Sequence, residues 1–244
     1  MVNNFQDFCV DQFQTALGSL RDSQFETPSY KYALKNSLIG MYAETYMLGD
    51  GTEMKFFDIN FASKKYKGRN IWKHLLTSDN AFSLCKEIEE GKQKYNKSKK
   101  AAPFYEHIEP KSVTYKALIE YNGTDKKEIK KLLDRSKLVV LTYQEKEYLD
   151  GMKYNVFSKD DERIIDRWKD KGLINKDEAD EAIGSMKDEK GYLSTNNQGT
   201  ALARIAHLIA HGVTFKWGTK PNLREEEAII QYLNSSDHTA SDVG

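Results

Sequence analysis

The chain has 244 residues, 39 % hydrophobic and 30 % charged, which is enough for one large domain or two lobes with real cores. Its 4 Pro and 15 Gly exclude a linker-rich or low-complexity chain, and 37 Lys+Arg set against 37 Asp+Glu exclude a global excess of positive charge. Cys9 and Cys85 are too few and too far apart in sequence for a disulfide framework or a zinc site, so a reducing, cytoplasmic setting is the expectation. There is no signal-peptide pattern, and no apolar run approaches the length of a bilayer span.

In chain order, Phe5, Phe8, Cys9, Phe13, Ala16, Leu17 and Leu20 recur at steps of three and four, which predicts an amphipathic helix with an aromatic face. Its partner is either the protein's own core or a neighbouring subunit, through Phe5, Phe8, Phe13 and Leu17. Thr27-Pro28-Ser29 opens a second predicted helix reaching about Met47. Gly49-Asp50-Gly51-Thr52 is a turn, and the alternation after it predicts a short strand or hairpin. A short helix is predicted to end at Leu76, and Ser78-Asp79-Asn80 caps another running to about Tyr95. Residues 101–112, with Pro103 and Pro110, read as a connector.

Beyond the connector, Val113–Tyr121 fits strand or helix, and Asp125 caps a charged helix. The run from Lys137 to Tyr143 is the strongest β-like stretch. Ser158 and Asn175 open two helices joined at Gly172, the second of them acidic. Thr200 and Gly212 bound a well-specified helix; Phe215–Trp217 is extended, Leu223–Leu233 is helical, and the tail after Ser235 frays. The expected fold is mainly α, as two helical lobes with at most a small hairpin or short strands. The expected division is an N-terminal lobe over 1–100, a connector over 101–112, a C-terminal lobe over 113–234 and a flexible tail over 235–244.

Charge is distributed unevenly. The stretch Lys55–Lys100 holds 12 of the Lys+Arg residues and 5 of the Asp+Glu, an excess of seven positive charges that the rest of the chain offsets. Aromatic residues are interleaved with these cations. Ammonium and guanidinium groups that meet phosphates, beside rings that stack on bases, are what a single-stranded nucleic-acid groove needs. The candidate contacts are Lys64, Lys65, Lys67, Arg69, Lys73, Lys94, Lys97, Lys99 and Lys100, with Tyr66, Trp72 and Tyr95 stacking. Thr200, Arg204, His207 and His211 form one stripe of a helix, from which Arg204 and His207 could reach the same backbone. A solvent-facing stripe on a core helix explains them as well.

Chemistry has fewer footholds. His207 and His211 at i and i+4 lack a third metal ligand and the Glu of a His-Glu-x-x-His site, so no metal is expected. Asp134, Gln144 and Lys146 fall short of a metal-nuclease set, no Gly-rich phosphate loop or Gly-x-Ser-x-Gly is present, and no cofactor is expected. Arg69-Asn70-Ile71-Trp72-Lys73-His74 resembles the Arg-Asn-spacer-His signature of HEPN-type ribonucleases. That resemblance implies a motif carried on a long helix, with Arg69 and His74 acting on the RNA 2′-hydroxyl and scissile phosphate without a metal.

The reading that results is a self-associating protein that binds single-stranded nucleic acid, with RNA first, and is nucleocapsid-like in architecture only. Its alternatives are the metal-independent ribonuclease and a non-catalytic interaction scaffold.

Overall fold

The computed structural model describes residues 5–21, 33–43, 45–47, 53–55, 71–94, 102–121, 123–150, 156–195 and 198–235. These residues are mainly helical and enclose a small mixed sheet. No helix among them is long and apolar enough to cross a membrane.

The N-terminal part comprises α1 (Phe5–Arg21), a π-helical segment (Ala33–Ile39) running into α2 (Gly40–Ala43), and a hairpin of β1 (Thr45–Met47) and β2 (Glu53–Lys55). The helix expected to reach Met47 therefore stops at Ala43. Thr45, a β-branched residue, and Tyr46 instead pair with Lys55 and Met54 across the hairpin. Ladder partners of this kind override a helical period.

The sheet has the order β4-β5-β3-β6, built from β3 (Leu76–Ser78), β4 (Phe104–His107), β5 (Leu138–Leu141) and β6 (Phe215–Trp217). The central pair β3 and β5 is parallel, and both edge strands run antiparallel to their neighbours. The continuous apolar run Leu138-Val139-Val140-Leu141 suits a strand covered on both faces, and all four residues are buried. The expected connector contains β4, which pairs with β5 from Phe104↔Leu141 to His107↔Leu138. Strands from both sides of 101–112 thus share one sheet.

Around this sheet lie α3 (Asp79–Glu89), α4 (Lys111–Glu120), α5 (Lys126–Asp134), α6 (Tyr143–Asp150), α7 (Lys159–Asp170), α8 (Lys176–Ser185), α9 (Ala201–Ala210) and α10 (Glu225–Asn234). The predicted caps are used. Ser78 Oγ accepts the Ala81 N–H at 3.1 Å, Asp125 Oδ1 accepts the Lys127 N–H at 2.8 Å, and Asn175 Oδ1 accepts the Glu178 N–H at 2.9 Å. At α3 the helix ends earlier than Tyr95, because Gly91 takes φ 72°, a left-handed stop.

The starts of α3 and α6 are tied by one carboxylate. Glu145, buried, accepts the Thr142 N–H at 2.8 Å and Asn80 Nδ2–H at 3.0 Å, and the Ser78 hydroxyl also donates to it. A negative group between two helix N-termini is favoured by their unpaired N–H groups.

Two hydrophobic clusters result. One surrounds the sheet and runs in sequence from Trp72 to Tyr232. The other joins α1, the π-helical segment and α2 to α4 and α5, through Cys9, Phe13, Leu17, Ile39, Leu118, Ile129 and Leu133. Each draws on residues from both sides of the expected connector. Within the second, the Tyr42 hydroxyl donates to the buried Asp134 carboxylate, and burial drives the Tyr42 pKa upward.

Candidate nucleic-acid interface

Ile71–Lys73 form a 3₁₀ turn just ahead of β3. Trp72 is anchored there as a core residue, 1 % exposed, with its ring edge-on to Phe82 at 4.8 Å and 87°. It is therefore not a stacking platform for bases; packing beneath α3 has taken its surface. The turn is held from the other side by the Trp217 Nε1–H, which donates to His74 O at 3.0 Å. A Cβ on Gly218 would come within 2.8 Å of Lys73 O, so this close approach requires glycine.

The anchored turn places Lys73 at the surface. Its Nζ lies 3.3 Å from Glu89 Oε2 and 5.1 Å from the Trp72 ring centre. Glu89 belongs to the last turn of α3, and Lys92 and Lys94 follow it directly. Lys73 is thus brought to the C-terminal end of α3, which Lys92 and Lys94 follow.

Along the same helix, Phe82, Lys86 and Glu89 stand four and three residues apart and share a stripe. Phe82 is partly exposed. Lys216 of β6 lies over its ring, 4.5 Å from the centre, and pairs with Asp79 at 2.9 Å. An aromatic side chain on α3 is therefore flanked by Lys216 at one end of the stripe and Lys73 at the other, and their side chains are 44 % and 43 % exposed.

Each of the paired lysines has a carboxylate from α3 or its cap: Lys73 with Glu89, Lys216 with Asp79, and Lys92 with Glu90 at 2.6 Å. Exposed pairs of this kind contribute little, because water screens them, so they do not bar a phosphate from the same ammonium groups.

Sequence reasoning missed Phe82, Lys86, Lys92 and Lys216 in this role. Phe82 packs one edge against the core at Trp72 and is only partly exposed. Lys216 has a signal in the alternation Phe215-Lys216-Trp217, which turns its side chain away from two buried rings. Lys64, Lys65, Tyr66, Lys67, Arg69, Tyr95, Lys97, Lys99 and Lys100 lie outside the described residues.

The stripe on α9 is not part of this surface. Arg204 is 3 % exposed and His207 is fully buried, so neither reaches a phosphate backbone. The solvent-facing expectation fails for a simple reason: α9 is nearly all Ala, Leu and Ile, and such a helix is buried all round. Its polar residues are neutralised inside. His207 Nδ1 meets Asp161 Oδ2 at 3.1 Å, and Asp161 Oδ2 also accepts the Ser158 N–H that opens α7. Arg204 donates at 3.5 Å to both His107 O and Glu106 Oε1, and burial pushes its pKa down. His211 Nδ1–H donates to His207 O at 2.9 Å. Among the described residues no group of three or more His, Cys, Asp and Glu is placed to hold a metal.

On α1, Phe13 and Leu17 are 1 % and 2 % exposed in the chain's own core, which removes both from any contact with a neighbour. Phe8 is 48 % exposed, and the side chain of Phe5 is outside the description.

His74 follows the 3₁₀ turn rather than lying on a long helix, which departs from the geometry that the HEPN resemblance implies. Burial, with Lys73 beside it, lowers its pKa. Its Nδ1 is buried with no hydrogen-bond partner among the described residues.

Comparison of this chain with protein-family models, with curated proteins and with solved structures found no match.

Proposed function

We propose that this protein binds single-stranded nucleic acid, RNA first, along the face formed by Lys73, Phe82, Lys86 and Lys216, and that it self-associates as a coating protein does. The observation that carries the reading is the flanking of the Phe82 ring, with Lys216 over it at 4.5 Å and Lys73 held by Glu89 at the far end of the α3 stripe. Exposed ammonium groups supply the sequence-independent attraction to phosphate, and a ring between them supplies stacking. Self-association rests on Phe8, a large apolar side chain of α1 that is exposed among the described residues. The test is nucleic acid carried through purification from cells, read by ultraviolet absorbance ratio. The wild type retains it, and a variant with Lys64→Glu, Lys65→Glu and Lys73→Glu does not. Equal retention by both would remove the basic stretch from the interface.

One observation favours a second reading, the metal-independent ribonuclease with Arg69 and His74: burial, with Lys73 beside it, holds His74 toward its neutral form, the form a general base needs. It predicts RNA cleavage in EDTA that disappears in His74→Ala.

A further inference from the structure

The acidic residues of the basic stretch are not scattered. Of its five, Asp79, Glu87 and Glu89 lie in α3 and Glu90 caps it, leaving Asp58 elsewhere. Two of these four hold lysines of the proposed face, Asp79 with Lys216 and Glu89 with Lys73, and Glu90 holds the neighbouring Lys92.

We infer that Glu89 and Asp79 are built-in competitors for the phosphate backbone, a carboxylate brake that keeps this face weak and reversible. The inference rests on the nucleic-acid reading above and concerns the regulation of the same site.

A carboxylate and a phosphate offer the same thing to an ammonium group, namely anionic oxygens at hydrogen-bond distance. Lys73 and Lys216 cannot serve both fully. Each phosphate that docks must displace a carboxylate oxygen or share the ammonium with it. The carboxylate left behind then stands close to an incoming anion, which adds repulsion. Part of the counterion release that normally drives binding is also absent, because the protein's own carboxylates already serve as the counterions.

The geometry makes the two brakes separable. Glu89 acts at the Lys73 end of the stripe and Asp79 at the Lys216 end. Glu87 lies on the same helix and forms no ion pair with Lys73 or Lys216, so it reports the general effect of removing one negative charge from α3.

The experiment is fluorescence-anisotropy titration of a labelled single-stranded RNA at several salt concentrations, with wild type, Glu89→Gln, Asp79→Asn, Glu87→Gln, and the pair Lys73→Gln and Lys216→Gln. Glu89→Gln and Asp79→Asn are each expected to tighten binding about 3-fold. Each should steepen the dependence of log K on log salt by up to about 1, as a released lysine takes a phosphate. Glu87→Gln is expected to change affinity less and leave the slope unchanged. Glu89 is partly exposed, so Glu89→Gln keeps the fold, and circular dichroism verifies it. If the lysine variants weaken binding but Glu89→Gln and Asp79→Asn behave like Glu87→Gln, the brake is overturned and the interface stands. If wild type and every variant fail to bind at low salt, both are overturned.

Discussion

Lys73 of the 3₁₀ turn and Glu89 of the last turn of α3 meet at 3.3 Å, closing the loop of chain between them. A phosphate-binding role for the lysine at this junction has a quantitative signature. Lys73→Gln and Lys216→Gln should each weaken RNA binding with little regard to sequence and reduce the salt slope by less than about 1, because each ammonium is shared with a carboxylate. Anisotropy titrations across a salt series measure both quantities.

Phe82 should contribute separately from charge. Phe82→Leu keeps an apolar side chain against Trp72 but removes the π face under Lys216. Loss of one stacked base costs about 1–3 kcal/mol, so affinity should fall at least several-fold with the salt slope unchanged. Thermal melting of the same variant checks that the fold is retained.

Glu145 is the electrostatic fastener of the sheet end. Glu145→Ala would strand the Ser78 hydroxyl, the Asn80 amide and the Thr142 N–H, all of which now donate to it. The expected cost is about 3 kcal/mol or more, read from urea unfolding midpoints. Glu145→Gln, which keeps two lone pairs but not the charge, should fall between the wild type and Glu145→Ala.

Lys137 gives a pH signature. Its buried ammonium donates to Tyr232 O at 2.6 Å and Leu233 O at 2.9 Å at the end of α10, and burial pushes its pKa down to about 8 from 10.5. Between these values the unfolded chain binds a proton that the native state has released. Stability therefore rises with pH from about 8 to 10.5, and this contribution is lost as pH falls through 8. Melting temperatures of wild type, relative to Lys137→Met, should increase over that window; a flat difference would show no depression.

The two phenylalanines of α1 should separate stability from association. Phe13→Ala removes a buried ring and is expected to cost about 3–5 kcal/mol. Phe8→Glu should leave the melting temperature nearly unchanged and reduce self-association measured by light scattering.

Local signals in the sequence were reliable where one residue type meets one backbone need. Ser78, Asp125, Asn175 and Thr200 cap the helices they were assigned, and Gly172 and Gly212 take the left-handed φ of 69° and 81° that ends a helix. The mainly helical class followed from these. The sheet was less readable, because its strands are three or four residues long and their partners lie far away: Leu76 pairs with Val139 and Trp217. The burial of Arg204 and His207 was hidden for a related reason. Their partners Glu106 and Asp161 come from distant segments, and periodicity alone places a polar stripe on the outside. For the proposed interface, lysine clustering was visible in the sequence. The pairing of Lys73 with Glu89 of α3, and the placing of Lys216 over Phe82, required the fold.

The central claim is tested most directly by titrating labelled single-stranded RNA with the wild-type protein at low and at physiological salt, with light scattering recorded alongside. The account predicts saturable binding that weakens steeply with salt and builds particles larger than the free protein. Absence of binding at low salt would contradict it.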